Sequence, residues 1–99
     1  MNGKPYAIVM APSAYKIFKK YDPKLQQKIK EEARNIADSP YSFKQLTSPL
    51  NNIRSYGFNY QKVAYRIAYR INDKQYQVEI LLVKTRENFY DTLKNVLRL

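Results

Sequence analysis

The stretch "VAYRIAYRI", residues 63–71, alternates with a period of two. Val63, Tyr65, Ile67, Tyr69 and Ile71 are large and apolar; Ala64, Arg66, Ala68 and Arg70 lie between them. β-branched and aromatic residues at this period predict a strand with one buried face. The other face carries two alanines and two arginines, with no acidic partner close in sequence. A strand of this kind needs an apolar layer on one side and leaves guanidinium groups on the other.

The flanking sequence supplies that layer. "PYAIVM", residues 5–10, reads as a first strand closed by Ala11-Pro12. Ser13 is the expected N-cap of a short helix whose apolar positions are Ala14, Ile17, Phe18 and Tyr21. Asp22 followed by Pro23 opens a second helix, since an acceptor side chain and a preset φ both favour a helix start. Its stripe is Leu25, Ile29, Ala33, Ile36 and Ala37, and Ser39-Pro40 stops it. Residues 40–52 are rich in Ser, Pro and Asn and read as a loop. "IRSYGF", residues 53–58, is a strand, and "NYQK" turns into the strand at 63–72. A second turn at 72–74 leads to a last strand at 75–86, whose near-continuous apolar middle predicts an internal place covered on both faces. Phe89, Leu93, Val96 and Leu97 then recur at helical spacing. The order β-α-α-β-β-β-α predicts an α+β fold: a mostly antiparallel, four-stranded sheet with the two early helices packed on one face. Arg66 and Arg70 would project from the face those helices leave bare. No repeat or linker divides the chain, so residues 1–99 read as one domain.

Composition narrows the chemistry. The chain of 99 residues has 18 Lys and Arg against 8 Asp and Glu, a formal net charge of +10. Residues 39–72 hold five basic residues and no acid. Such a surplus points to a polyanionic partner, most simply nucleic acid. There is no cysteine and no histidine. That excludes disulfides, cysteine-based metal sites, and Ser-His-Asp or Cys-His catalysis. With two glycines in all, no phosphate-binding glycine loop exists. Glu79 and Glu87 could in principle form a carboxylate pair, but each reads more simply as a solvated or paired side chain. No signal peptide or membrane span is visible, which makes a cytoplasmic location the expectation.

Arg, Lys and Tyr remain, and they suit RNA cleavage. When a 2′-hydroxyl attacks the neighbouring phosphate, negative charge grows on the phosphate oxygens. Arginine meets it with a fixed fork of donors that stays charged. Loss of one well-placed donor to a developing oxyanion raises a barrier by roughly 3–4 kcal/mol. A phenol has an ordinary pKa of about 10, so it needs positive neighbours to act as a base. Tyrosine rings also stack on splayed-out bases.

"YRIAYRI", a hydrophobic strand, and then "KTRENFYDTLK" resemble the closing half of the RelE/ParE superfamily of type II toxin-antitoxin toxins. The upstream order, with "PLNNIRSYGF" leading into the arginine strand, extends the resemblance over most of the chain. The resemblance implies a RelE-like, microbial ribonuclease-type fold and a toxin that cuts messenger RNA in the ribosomal A site, inhibiting translation without a metal or cofactor. It implies Arg66 at the scissile phosphate, Arg86 stabilising the transition state and Tyr90 orienting or deprotonating the 2′-hydroxyl. Arg54 stands where the family has a lysine, with Lys62 or Tyr56 as alternatives for that place. Lys62, Tyr56, Arg70 and Lys44 are the accompanying RNA-binding positions, Arg70 being peripheral. The partners implied are mRNA, the ribosome and a cognate antitoxin protein, with no membrane. The other branch of the superfamily implies an alternative, a ParE-like DNA gyrase inhibitor without nuclease activity.

Overall fold

A computed structural model describes residues 4–99. The chain runs β1 (Ala7–Met10), α1 (Pro12–Phe18), α2 (Pro23–Asp38), a single 3-10 turn at Pro40–Ser42, β2 (Lys44–Gln45), β3 (Arg54–Tyr60), β4 (Val63–Asn72), β5 (Gln77–Thr85) and α3 (Phe89–Leu97). The five strands form one sheet in the order β1-β5-β4-β3-β2. β1 pairs with β5 in parallel and every other pairing is antiparallel.

The sheet therefore differs from a four-stranded one in two ways. A two-residue edge strand, Lys44–Gln45, forms inside the expected loop and pairs with Arg54 and Ser55. A strand this short has no periodicity to read. The sheet is also mixed, because α1 and α2 act as a crossover from β1 and return the chain so that β1 lies along β5. Smaller differences sit at the ends. Ala11, not Ser13, occupies the N-cap position of α1, with Pro12 as the first helical residue and no side-chain cap bond. β3 extends to Tyr60, so the hairpin narrows to Gln61-Lys62, both left-handed with φ of 49° and 68°. That is the backbone a two-residue hairpin loop requires, here supplied without glycine.

The period-two reading of 63–71 is what the packing follows. Ile67 and Tyr69 join Ala14, Phe18, Leu25, Ile29, Ala33, Ile36, Val78, Ile80 and Val83 in the core beneath α1 and α2. Tyr69 is fully buried and its hydroxyl donates to the Pro40 carbonyl at 2.6 Å. All five residues of the α2 stripe are buried, and the Asp22 carboxylate accepts from the Leu25 amide at 2.7 Å.

The opposite face is divided. A second cluster joins Ala68, Leu81 and Leu82 to Phe89 and Leu93 of α3 and to Leu46, Leu50 and Ile53 of the β2–β3 connection. It exists because the register slips between Ala68 and Tyr69. Ala68 faces Leu82 while Tyr69 faces Ile80, so Leu81 is an extra residue. The bulge puts two consecutive leucines on the α3 side, where a regular strand would turn one away. β5 is thus internal and covered on both faces. Among the described residues no helix is long and apolar enough to cross a membrane.

Two outcomes check these assignments. Asp22→Ala removes the acceptor at the start of α2 and should lower stability by about 1 kcal/mol in chemical denaturation. The Glu32 carboxylate is partly buried, which opposes its charge. Hydrogen bonds from Lys28, Tyr56 and Asn35 outweigh this and hold its pKa below the ordinary 4.5. A depressed folded-state pKa contributes stability fully above about 4.5 and loses it as pH falls through the folded value. The melting-temperature gap between the native chain and Glu32→Gln should therefore close progressively below pH 4.5.

Candidate nucleic-acid interface

Even-numbered residues of β4 project from the face opposite α1 and α2, and their cross-strand partners define what surrounds them. Arg66 lies opposite Gly57 of β3 and Lys84 of β5. Gly57 has no side chain and Ala64 has a short one, so Arg66 stands beside a bare strip of sheet. An open depression there is lined by Gly57, Phe58, Asn59, Ala64, Tyr65, Arg66 and Arg86.

Arg86 reaches the depression because β5 ends at Thr85 and the chain bends, its amide still donating to the Ala64 carbonyl at 3.1 Å. The Arg86 carbonyl in turn accepts from the Phe89 amide at 3.2 Å, which ties the turn to the start of α3. The Lys84 ammonium donates to the Thr85 carbonyl at 3.1 Å and to the Glu87 carbonyl, the residues on either side of Arg86. Burial of Phe89 and Leu93 then fixes the rotation of α3 and leaves Tyr90 half-buried above the sheet. Arg66 Nη1 donates to the Tyr90 hydroxyl at 2.7 Å, and the guanidinium carbon lies 5.4 Å from the ring centroid. Arg66, Arg86 and Tyr90 therefore share one open face.

The remaining sequence-derived positions are spread out. Arg54 is in phase with Tyr56 and Phe58, on the α1/α2 face, because it pairs with Tyr69 and not with an open-face residue. Its Nη1 donates to the carbonyls of Tyr41 at 3.1 Å and Phe43 at 2.7 Å, and the guanidinium sits over the Tyr41 ring. That placement separates it from Arg66 by the thickness of the sheet. Tyr56 is on the same covered face, where its hydroxyl donates to Glu32 at 2.5 Å; burial and that carboxylate raise its pKa. Neither residue stands on the face that carries Arg66. The open-face residues of β3 are Ser55, Gly57 and Asn59, none of them cationic. Lys62, at the hairpin tip, lines a shallow hollow with Arg86. Arg70 is held at the far end of β4 by Glu79, 2.6 Å away.

Two cations escape sequence reading. Lys84 precedes Arg86 by two residues, a strand period that puts both on one face. Lys94 follows Tyr90 by four, a helical period. Lys94 and Lys44 line a groove with Leu46, Thr47, Ser48, Pro49, Leu50 and Tyr90. Among the described residues the ion pairs are Lys28–Glu32 and Arg70–Glu79, so Lys44, Arg66, Arg86 and Lys94 face solvent without a carboxylate partner. Among the described residues no three acidic side chains come together in a way that could hold a metal ion.

The molecule is a small basic α+β protein whose bare sheet face gathers arginine, lysine and tyrosine. Residues 8–94 match the family described as ParE-like toxin of type II bacterial toxin-antitoxin system, and the chain belongs to that family. Solved structures share the fold. A chain of the RelBE2 toxin-antitoxin complex from Mycobacterium tuberculosis aligns with a TM-score of 0.72 at 27% identity, covering 84% of this chain and 100% of that one. The E. coli toxin RelE in the free state, with two arginines replaced by alanine, gives 0.70 at 16% identity over 93% and 98% of the two chains. The archaeal RelE-RelB complex from Pyrococcus horikoshii OT3 gives 0.55 at 18% identity over 84% and 97%. Among curated proteins none matches significantly.

The placement of Arg54 has a direct consequence. Arg54→Ala strips two carbonyls of a charged donor, each such bond being worth about 1.5–3 kcal/mol. Urea denaturation should show a loss of that order, larger than for Arg66→Ala.

Proposed function

We propose that this toxin cleaves messenger RNA on the ribosome, by attack of a 2′-hydroxyl on the adjacent phosphate without a metal ion. The observation that carries this reading is the 2.7 Å contact between Arg66 and the Tyr90 hydroxyl, in a face shared with Arg86. Arg66 grips a non-bridging phosphate oxygen. Tyr90, whose oxygen already accepts from Arg66, keeps its own O–H and a second lone pair for the ribose hydroxyl. The 2′-oxygen bonds to phosphorus as its proton passes to the tyrosine oxygen, which hands its own O–H proton to water; the bond from phosphorus to the 5′-oxygen breaks, and that oxygen takes up a proton from water. Arg86 offsets the charge that develops on the phosphate and on the departing oxygen. The products are a cyclic 2′,3′-phosphate and a 5′-hydroxyl.

None of these groups is a strong acid or base at neutral pH. Their efficiency then rests on geometry, and a substrate held in near-attack position by the ribosome supplies it. The reading also implies a cognate antitoxin that covers the basic face with acidic and apolar side chains. Support comes from the RelBE2 and RelE-RelB complexes, whose toxins share this fold. The family name, ParE-like toxin, favours keeping one other target in the test, DNA gyrase.

Induction in cells followed by mapping of mRNA 5′ ends tests the proposal. Cuts inside translated codons are expected, lost in Arg86→Ala. Arg66→Ala should slow cleavage by about 10²–10³ while its melting temperature stays close to that of the native chain. Intact messages accompanied by an SOS response and broken chromosomes would overturn the nuclease reading in favour of gyrase.

A further inference from the structure

The groove on the far side of Tyr90 takes no part in the bond-breaking step assigned above. One wall is β2 with Lys44, whose pairing with Ser55 places it on the same face of the sheet as Arg66. The other wall is α3 with Lys94. Between them the residues 46–50 form a floor in which Leu46 and Leu50 are buried, while Thr47, Ser48 and Pro49 are exposed. Tyr90 belongs to both places: it lines this groove and touches Arg66. Tyr90 and Lys94 are four residues apart on one helix, a rise of about 6 Å. That is the order of one backbone step in an extended strand.

From this continuity we infer that the groove bounded by Lys44, Lys94 and Tyr90 is the subsite for the nucleotide next to the scissile link. The inference rests on the RNA-cleaving reading. The two lysines, free of carboxylate partners, take that nucleotide's phosphate. The Tyr90 ring and the aliphatic wall of Leu46, Pro49 and Leu50 take its base, and the Thr47 and Ser48 hydroxyls lie within reach of base-edge or ribose groups. A cation on each wall with an apolar floor fits a single-stranded nucleotide better than a duplex, whose bases are stacked and whose edges are recessed.

The test is fluorescence anisotropy with a labelled single-stranded hexaribonucleotide, at several salt concentrations, on the full chain. It compares the native protein, Lys44→Gln/Lys94→Gln and, as a control for charge alone, Lys16→Gln/Lys20→Gln on the other side of the molecule. The groove variant should bind at least about five-fold more weakly at low salt, with the salt slope reduced by about 1 per lysine removed. The control should lose less on both counts. Where the native chain cuts mRNA, the groove variant should also lose base preference at one position beside the cut. Native-like RNA affinity and salt slope in the groove variant, with cleavage intact, overturn the subsite and leave the nuclease reading standing. RNA binding that depends on the two lysines, in a chain that never cuts, overturns the nuclease reading and leaves the subsite. A groove variant that keeps its RNA affinity but no longer holds an acidic antitoxin peptide assigns the groove to a protein partner and overturns the proposal.

Discussion

The arrangement depends on the packing of Phe89 and Leu93 against Ala68, Leu81 and Leu82. Those five side chains are all buried, and they anchor α3 to the face of the sheet that α1 and α2 leave uncovered. Ala68 matters because it is small. A larger residue at that point of β4 would hold the helix off the sheet. With the helix seated, position 90 falls beside position 66, and a phenol meets a guanidinium. Hydrophobic burial thus fixes the geometry of two polar groups that have little intrinsic reason to stay together at a half-exposed surface.

Around that contact the charge is left unbalanced, at a cost to the sheet. Cross-strand neighbours Arg66 and Lys84 are both cations, a pairing that does not stabilise a sheet. Lys84 relieves part of the repulsion by turning to the carbonyls that flank Arg86. Arg70, two repeats of the pleat away, has Glu79 for a partner and is quiet. Two arginines on the same strand thus differ in their electrostatic surroundings: Arg70 is neutralised by Glu79, and Arg66 has a tyrosine hydroxyl in place of a carboxylate.

Much of the fold was legible because burial writes itself into period. The β4 alternation, the α2 stripe and the Asp22-Pro23 start correspond to side chains whose partners the sequence spacing already implies. What was not legible has physical causes. Lys44–Gln45 is too short to show a pattern. The parallel placement of β1 depends on where α1 and α2 return the chain, which no local signal records. Arg54 was expected beside Arg66, yet the side of the sheet it occupies depends on how residues 59–62 turn. Because Gln61 and Lys62 form a two-residue loop, Arg54 pairs with Tyr69 and faces the helices. Arg66, Arg86 and Tyr90 were legible as residue types at a spacing, whereas Lys84 and Lys94 needed the register and the helix rotation to be seen.

The bulge in β5 has a bearing on how such a chain can change over generations. Beyond Leu81 the strand runs one step out of phase with its first half, and Lys84 and Arg86 owe their side of the sheet to that offset. Leu81 is the residue in excess, so a strand lacking it could pair Ile80 with Tyr69 and Leu82 with Ala68 as a regular ladder, and Lys84 would still lie opposite Arg66. Such a deletion would take away one of the two leucines that seat α3. The spare step in the strand lets the chain shorten by one codon without turning its cations to the wrong side.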